Sequence, residues 1–224
     1  MEDDEAEARA CIADLRQMAV GFEAALSAGI EIKGRWWRQM LGASLMRAAS
    51  QCRSIASLAE IQSYLDADIL VRALVELAIT VGWMGDDEAK AEGLRDSGLK
   101  QMGKWKEAME QHDPLPAPAL ARFNKCMEAS GGKSAPPVEQ RAQGIPLLKE
   151  AYAFSYRRAS SSAHTDLRVL TATMTNNERD HAAIIMHDAC MAAVIIAKVA
   201  AAAFGDDGLQ SAADALEKSI KSRS

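Results

Sequence analysis

One long apolar stretch constrains the fold of this chain more than any other feature. Asp66 to Asp87 reads DADILVRALVELAITVGWMGDD, and its body is apolar on every side of a helix. A helix that is hydrophobic all round must be covered by other elements, so this stretch predicts the central helix of a bundle. Asp66 or Asp68 is expected to cap its start, and Gly85 to end it.

Helical patterns continue on both sides of this stretch. Ala, Leu, Met, Glu, Lys and Arg dominate the chain, while aromatic residues make up only 5%, and this mixture favours helix over strand. Apolar periodicity predicts further helices over about 5–28, 35–57, 87–111, 119–129, from Pro146 onward, 178–204 and 209–221, the last amphipathic. The sequence therefore predicts an all-α, single-domain bundle of about seven or eight helices over residues 1–224.

The charge balance bears on partners and location. The net charge of −5 gives no general attraction to nucleic acid or to anionic membranes. Residues 1–9 are acidic, which is unlike a secretory signal. The apolar run Met191–Phe204, broken by Lys198, is expected to be too short and too alanine-rich to span a bilayer. We therefore expect a cytoplasmic protein that does not enter membranes.

Neither the cysteines nor the histidines have the spacing of a metal site. The four cysteines form no C-x-x-C pair, and we expect reduced thiols in the core or at the surface: Cys11, Cys52, Cys126 and Cys190. His181 and His187 are six residues apart on a predicted helix, so they point about 120° apart. No metal and no cofactor are expected.

Two opposite charges interrupt the central apolar helix. Arg72 and Glu76 are four residues apart and share one helix face. An unpaired charge there would cost several kcal/mol. One interpretation is a buried ion pair that fixes helix register, and the other is a polar pocket. Arg before Glu is the weaker order for a pair within one helix, so both could instead reach partners on other helices.

A second unusual stretch is YRRASSSAHTDLR, which runs from Tyr156 to Arg168. Tyr152, Tyr156, Ser160 and His164 follow one another at intervals of four, and Arg157 and Ser161 lie close to the same face if the helix continues. Core helices normally carry aliphatic residues at such positions. The stripe predicts either a reactive site or a hydrogen-bonded network that ties helix ends together.

The residue types in this stripe suit one kind of chemistry. Histidine can take or give a proton near neutral pH. Arginine can hold a phosphate or stabilise a developing negative charge. Together they suit metal-free cleavage of RNA, in which the ribose 2′-hydroxyl is the nucleophile.

The residues resemble an uncharacterised family of bacterial all-helical domains. R-A-L-V-E at 72–76 and Y-x-x-x-Y-x-x-x-S-x-x-x-H at 152–164 are similar to the two helices that members of this family pair. The resemblance covers roughly residues 35–200. It implies the fold, but the family has no established activity to transfer.

The stripe is also similar to the HEPN superfamily (higher eukaryotes and prokaryotes nucleotide-binding). Its RNases carry an arginine and then, after four to six residues, a histidine; Arg157 with six intervening residues, or Arg158 with five, matches His164. This resemblance implies an RNA substrate and a homodimer that assembles the site.

Three classes of function follow, and the sequence leaves all three open. The leading hypothesis is a HEPN-like, metal-independent endoribonuclease of a defence or toxin type. In it His164 is the general acid/base, Arg157 binds phosphate, Ser160 and Tyr156 orient, and Arg72, Glu76, Tyr152 and Ser161 bind the ligand. The alternative is a non-catalytic module that binds a small anionic ligand or a protein partner in the polar pocket. The third class is a structural protein with a buried polar network.

A basic segment and a tryptophan pair are further candidates. Between Lys33 and Ala59 there are five basic residues and no acidic one, which predicts either a solvated face balanced by acidic neighbours or an anion-binding surface. Trp36 and Trp37 could stack a base, or one ring could belong to the core while the other covers a helix end.

Overall fold

The computed structural model describes residues 2–28, 34–110, 116–128, 130–143, 146–156 and 182–223. These residues form helices joined by turns and loops, and the predicted all-α bundle is confirmed. The helices are α1 (Glu2–Ser27), α2 (Trp36–Glu60), α3 (Tyr64–Met84), α4 (Glu88–Glu110), α5 (Ala117–Glu128), α6 (Val138–Gln143), α7 (Pro146–Glu150), α8 (Ala182–Phe204) and α9 (Asp207–Lys221), with a π-helical turn (Ala151–Tyr156) directly after α7.

The core lies where α1, α2, α3 and α8 pack together. α1 contacts α2, α8 and α9, while α3 packs on α2 and α8. The other side of α3 is covered by α6, α7 and the π turn. α3 is therefore enclosed on several sides, as its continuous apolar sequence predicts.

The two ends of α3 differ in how well the sequence predicted them. Gly85 ends the helix with a φ of 53°, a conformation that glycine adopts at little cost. The capping prediction is wrong, because α3 already begins at Tyr64, whose ring is buried in the core. Asp66 lies in the first turn, where it accepts a hydrogen bond from the Ser63 hydroxyl, and Asp68 is buried.

The close packing of α7 on α3 depends on a glycine. A Cβ atom at Gly82 would lie 2.9 Å from Leu148 Cδ1, and Leu148 is fully buried. The missing side chain lets α7 approach α3, and α7 in turn fixes where the π turn begins.

Helix α8 is long enough to cross a membrane by length and composition. It starts at Ala182 and has 23 residues, so it extends beyond the run Met191–Phe204. That the chain does not enter a membrane stays a prediction. Its side chains pack against α1, α2, α3 and α9, and most of those between Ala182 and Ala201 are buried. The described part of the chain holds no other helix that passes this test.

Candidate functional site

A polar face runs along α3 amid its apolar surroundings. Arg72, Glu76 and Thr80 follow one another at intervals of four and are all half-buried. Their neighbours Leu74, Ala78 and other aliphatic residues belong to the core. Residues four apart lie on one side of a helix, so this side is aimed at the elements that cover α3: α6, α7 and the π turn.

The π turn places two tyrosines against that face. The sequence predicts an α-helix from Pro146 onward, but after α7 the chain forms a π-helical turn over Ala151–Tyr156. Residues four apart lie on one side of this turn, as they do in an α-helix. The rings of Tyr152 and Tyr156 stack there, with centroids 5.2 Å apart and planes 18° apart.

Arg72 meets Tyr156 in two ways. Its Nη2 donates a hydrogen bond to the Tyr156 hydroxyl at 3.3 Å, and its Cζ lies 5.3 Å from the centre of the Tyr156 ring, which is cation–π distance. The Nε atom of Arg72 is buried and has no hydrogen-bond acceptor among the described residues. A guanidinium held in this way keeps donor capacity for an acceptor such as a phosphate oxygen.

A second arginine, from α6, completes the group. Arg141 donates from Nε to the Pro136 carbonyl oxygen at 3.0 Å and from Nη1 to the Thr80 hydroxyl. Burial lowers the pKa of Arg141, and the negative charge of Glu76 opposes that shift. Arginine remains protonated in proteins. We call these half-buried residues the polar cluster: Arg72, Glu76, Thr80, Arg141, Tyr152 and Tyr156.

Both motifs that shape the polar cluster lie within one family match. The model of a family of unknown function, DUF5677, matches residues 39–182. The matched range is more than half of the chain and contains R-A-L-V-E and the Tyr152–His164 stripe. The chain belongs to DUF5677. The resemblance to an uncharacterised all-helical family is thereby confirmed.

The other comparisons add no relative. No curated protein and no solved structure matches the chain significantly. The DUF5677 match carries no activity, because the function of the family is unknown. Function therefore has to be argued from the geometry of this chain.

The structure describes half of the predicted site residues. It brings together Arg72, Tyr152 and Tyr156, and it places Glu76 on the same face of α3. Arg72 donates its hydrogen bond to Tyr156, which lies on the π turn and not on α3. A partner on another element is what the weaker order of Arg before Glu suggests. The remaining predicted residues lie outside the described part of the chain: Arg157, Ser160, Ser161 and His164.

Sequence reasoning missed two members of the polar cluster. Thr80 continues the series of Arg72 and Glu76 by four more residues, so the spacing could have indicated it. Arg141 lies in a short helix after two prolines. No local pattern predicts its contact with Thr80, which lies 61 positions away.

A cavity of about 200 Å³ lies between α3, the π turn and α8, and its lining includes no residue of the polar cluster. Val75 and Ala78 form one wall, and Ser155, which is buried, belongs to the π turn. On α8, His187 Nδ1 lies 3.9 Å from Asp188 Oδ1, and the hydrogen bond with Asp188 raises the pKa of His187. Among the described residues there is no group of three or more His, Cys, Asp or Glu side chains that could hold a metal ion.

The two tryptophans differ in burial, as the second interpretation of the pair predicts. Trp37 is buried and its ring lies 6.0 Å from that of Phe204. Trp36 is partly exposed at the start of α2, with Arg95 Cζ 4.7 Å from its ring centre. One ring therefore belongs to the core and the other covers a helix end.

The basic segment before Ala59 is balanced at one position by an acidic neighbour. Arg53 forms an ion pair with Glu23 of α1, as the interpretation of a solvated face predicts. Arg38 Cζ lies 5.1 Å from the Trp37 ring centre. Lys33 lies outside the described residues.

Proposed function

We propose that the protein is a HEPN-like, metal-independent endoribonuclease in which the polar cluster holds an RNA phosphodiester. The observation that carries the proposal is the Arg72 guanidinium, which is placed over Tyr156 with a buried Nε that has no acceptor among the described residues. Arg72 and Arg141 outweigh the single carboxylate of Glu76, so the polar cluster has a net positive charge. Such a group favours an anion although the whole chain is acidic.

The proposed chemistry needs a base, an acid and a phosphate clamp. His164 takes the proton of the ribose 2′-hydroxyl, whose oxygen attacks the phosphorus while the bond to the 5′-oxygen breaks. The protonated His164 then gives this proton to the leaving 5′-oxygen, and the products are a 2′,3′-cyclic phosphate and a 5′-hydroxyl end. Arg157 and Arg72 neutralise the charge that develops on the phosphate oxygens. Tyr156 and Ser160 orient these groups.

A cleavage assay on mixed single-stranded RNA with excess chelator tests this proposal. The wild-type chain is expected to produce 2′,3′-cyclic phosphate ends, and His164→Ala to lower the rate by roughly 10²–10⁴-fold, the usual contribution of a general acid/base. Arg72→Met is expected to lower it as well. Arg122→Met is the matched control, because Arg122 is an exposed arginine on α5, and it should leave the rate unchanged. Equal rates of cleavage by wild type and His164→Ala, or cleavage by neither, contradict the proposal.

One observation favours a second function, a non-catalytic module for a small anionic ligand. The cavity between α3, the π turn and α8, with His187 in its wall, offers about 200 Å³, which suits a small molecule better than a polymer. Calorimetric titration with nucleoside monophosphates separates the two functions. Binding that His187→Ala abolishes, because His187 lines the cavity, would support the module if the wild type does not cleave RNA. The absence of both binding and cleavage would leave the polar cluster with a structural role.

A further inference from the structure

A groove of about 710 Å³ lies at the surface where α1 passes the turn between α2 and α3. Arg9 and Arg16 of α1 line one side, while Glu60, the last residue of α2, and Gln62 of the turn line the other. The volume is within the range of roughly 300–1,000 Å³ that is usual for small-molecule sites. The groove shares no residue with the polar cluster.

The backbone of Gln62 has a conformation that glycine normally adopts. Its φ angle is 62°, and among the described residues every other positive φ belongs to a glycine. The N–H of Gln62 donates to the Ala59 carbonyl oxygen at 3.0 Å, and the N–H of Ser63 donates to the Leu58 carbonyl oxygen at 2.9 Å, which is the Schellman arrangement at the end of a helix. Glycine is usual at this position, because a side chain there costs free energy. A glutamine in its place indicates a use for the side chain other than closing the turn.

The two arginines give the groove a positive side. Arg9 and Arg16 are seven residues apart, so they share one face of α1 and lie about 10 Å apart along its axis. An ion pair from Arg16 Nη2 to Glu60 Oε2, 2.6 Å long, joins α1 to α2. Glu60 is the one carboxylate among the described residues that line the groove, so the lining has a net positive charge. A guanidinium that already holds one carboxylate keeps further N–H donors for a phosphate, sulfonate or carboxylate.

The floor of the groove is apolar. Ile12, Ala59 and Tyr64 line it, and all three are buried in the core. Apolar side chains at the base of a groove favour a ligand with an apolar body, because its binding removes apolar surface from water. An apolar floor beside two arginines fits an amphipathic anion better than a bare inorganic ion.

We propose that this groove binds a small organic anion, with its acidic head group on Arg9 and Arg16 and its apolar body over Ile12 and Ala59. The side-chain amide of Gln62 donates a hydrogen bond to the head group, which accounts for a side chain at a glycine position. The site is separate from the polar cluster and does not depend on the proposed function.

Titration of the full chain with two fluorescent probes tests the proposal. Anilinonaphthalene sulfonate combines an apolar body with an anionic head, and phenylnaphthylamine has the same rings without the sulfonate. We expect saturable binding of the sulfonate and an affinity for the neutral probe that is about tenfold lower or less. Replacing both Arg9 and Arg16 by Gln should lower the affinity for the sulfonate about tenfold or more. The affinity for the neutral probe should not change.

Arg53→Gln is the matched control for the two arginines of the groove. Arg53 also joins α2 to α1 through an ion pair, with Glu23, and its side chain is exposed to a similar extent as that of Arg16, but it does not line the groove. This variant should bind the sulfonate like the wild type. An unchanged affinity in the double variant, an equal loss in Arg53→Gln, or no saturable binding by the wild type would overturn the proposal.

Gln62→Gly separates a role in the turn from a role in binding. Glycine adopts the positive φ at little cost, so the melting temperature without ligand should rise by about 2–4 °C. The affinity for the sulfonate should fall several-fold at the same time, because the amide donor is lost. A higher melting temperature with an unchanged affinity would overturn the role assigned to Gln62.

Discussion

At the scale of single residues, the contact between Arg72 and Tyr156 connects the two sequence motifs. It joins positions 84 residues apart through a hydrogen bond and a cation–π contact. The hydrogen bond is long at 3.3 Å, so the ring contributes alongside the hydroxyl. The two contributions can be separated by substitution, since phenylalanine keeps the ring and removes only the hydroxyl.

Tyr156→Phe is predicted to lower the free energy of unfolding by about 1 kcal/mol, the usual net value of one hydrogen bond. Tyr156→Leu also loses the cation–π contact and the stack on Tyr152, which adds about 1 kcal/mol or more. Urea denaturation of the three proteins measures both steps. Equal stability of Tyr156→Phe and Tyr156→Leu would mean that the ring contact with Arg72 contributes nothing.

The buried carboxylate of Asp96 predicts how the stability of the fold depends on pH. Its side chain is buried in α4 and accepts hydrogen bonds from Arg95 and from the backbone N–H of Lys133. Burial alone would raise the pKa of Asp96, but these hydrogen bonds outweigh it and the pKa is lowered from 3.8. A lowered pKa stabilises the folded state above the unfolded pKa, and that stabilisation is lost as the pH falls through the folded value.

Asp96→Asn is therefore predicted to lower the free energy of unfolding at neutral pH by about 1.5–3 kcal/mol, as expected for hydrogen bonds to a charged group. The difference from wild type should stay constant between about pH 5 and 8 and shrink below about pH 4. Denaturant titrations at several pH values measure it, and Asp86→Asn is the control because Asp86 is exposed. A difference that grows as the pH falls would contradict this account.

At the scale of elements, a side chain of α4 caps the start of α2. Glu88, in the first turn of α4, accepts hydrogen bonds from the backbone N–H groups of Trp36 at 2.9 Å and Trp37 at 3.4 Å. The residue before α2, Arg35, offers no side-chain cap. A carboxylate from another helix thus satisfies donors at the start of α2, and its charge suits the positive end of the helix dipole.

Glu88→Ala is predicted to lower the free energy of unfolding by about 1 kcal/mol, the usual cost of a lost helix cap. Glu107→Ala is the control, since Glu107 is exposed on the same helix. Urea denaturation measures the difference as a lower midpoint for Glu88→Ala, with an unchanged dependence of the unfolding free energy on urea concentration. If both variants unfold at the same urea concentration, the interhelical cap does not contribute.

Apolar periodicity predicted the long helices because burial of one face decides where they lie. It did not predict α6, which has only six residues, too few for a periodic pattern. It also could not predict the π turn, because the spacing of Tyr152 and Tyr156 fits an α-helix equally well. The N-cap of α3 is Ser63, three residues before Asp66 and five before Asp68. The sequence misplaced it because aspartates in the first turns of a helix resemble caps.

At the scale of the whole molecule, the sequence predicted the contacts of the site that are local in the chain and missed those between distant segments. Arg72 with Glu76 and Tyr152 with Tyr156 are each four residues apart, so helical spacing indicated both pairs. The approach of α6 to α3 joins Arg141 to Thr80 across 61 positions, and only packing determines such a contact. The prediction of a single domain over residues 1–224 remains a prediction.

A crystal structure of His164→Ala with a short RNA methylated at its 2′-hydroxyl groups tests the central claim most directly. Both changes prevent cleavage, so the bound state is retained. The account predicts a phosphodiester oxygen within hydrogen-bond distance of the Arg72 guanidinium, in the polar cluster between α3 and the π turn. An RNA bound elsewhere, with Arg72 still in contact with Tyr156 alone, would contradict it.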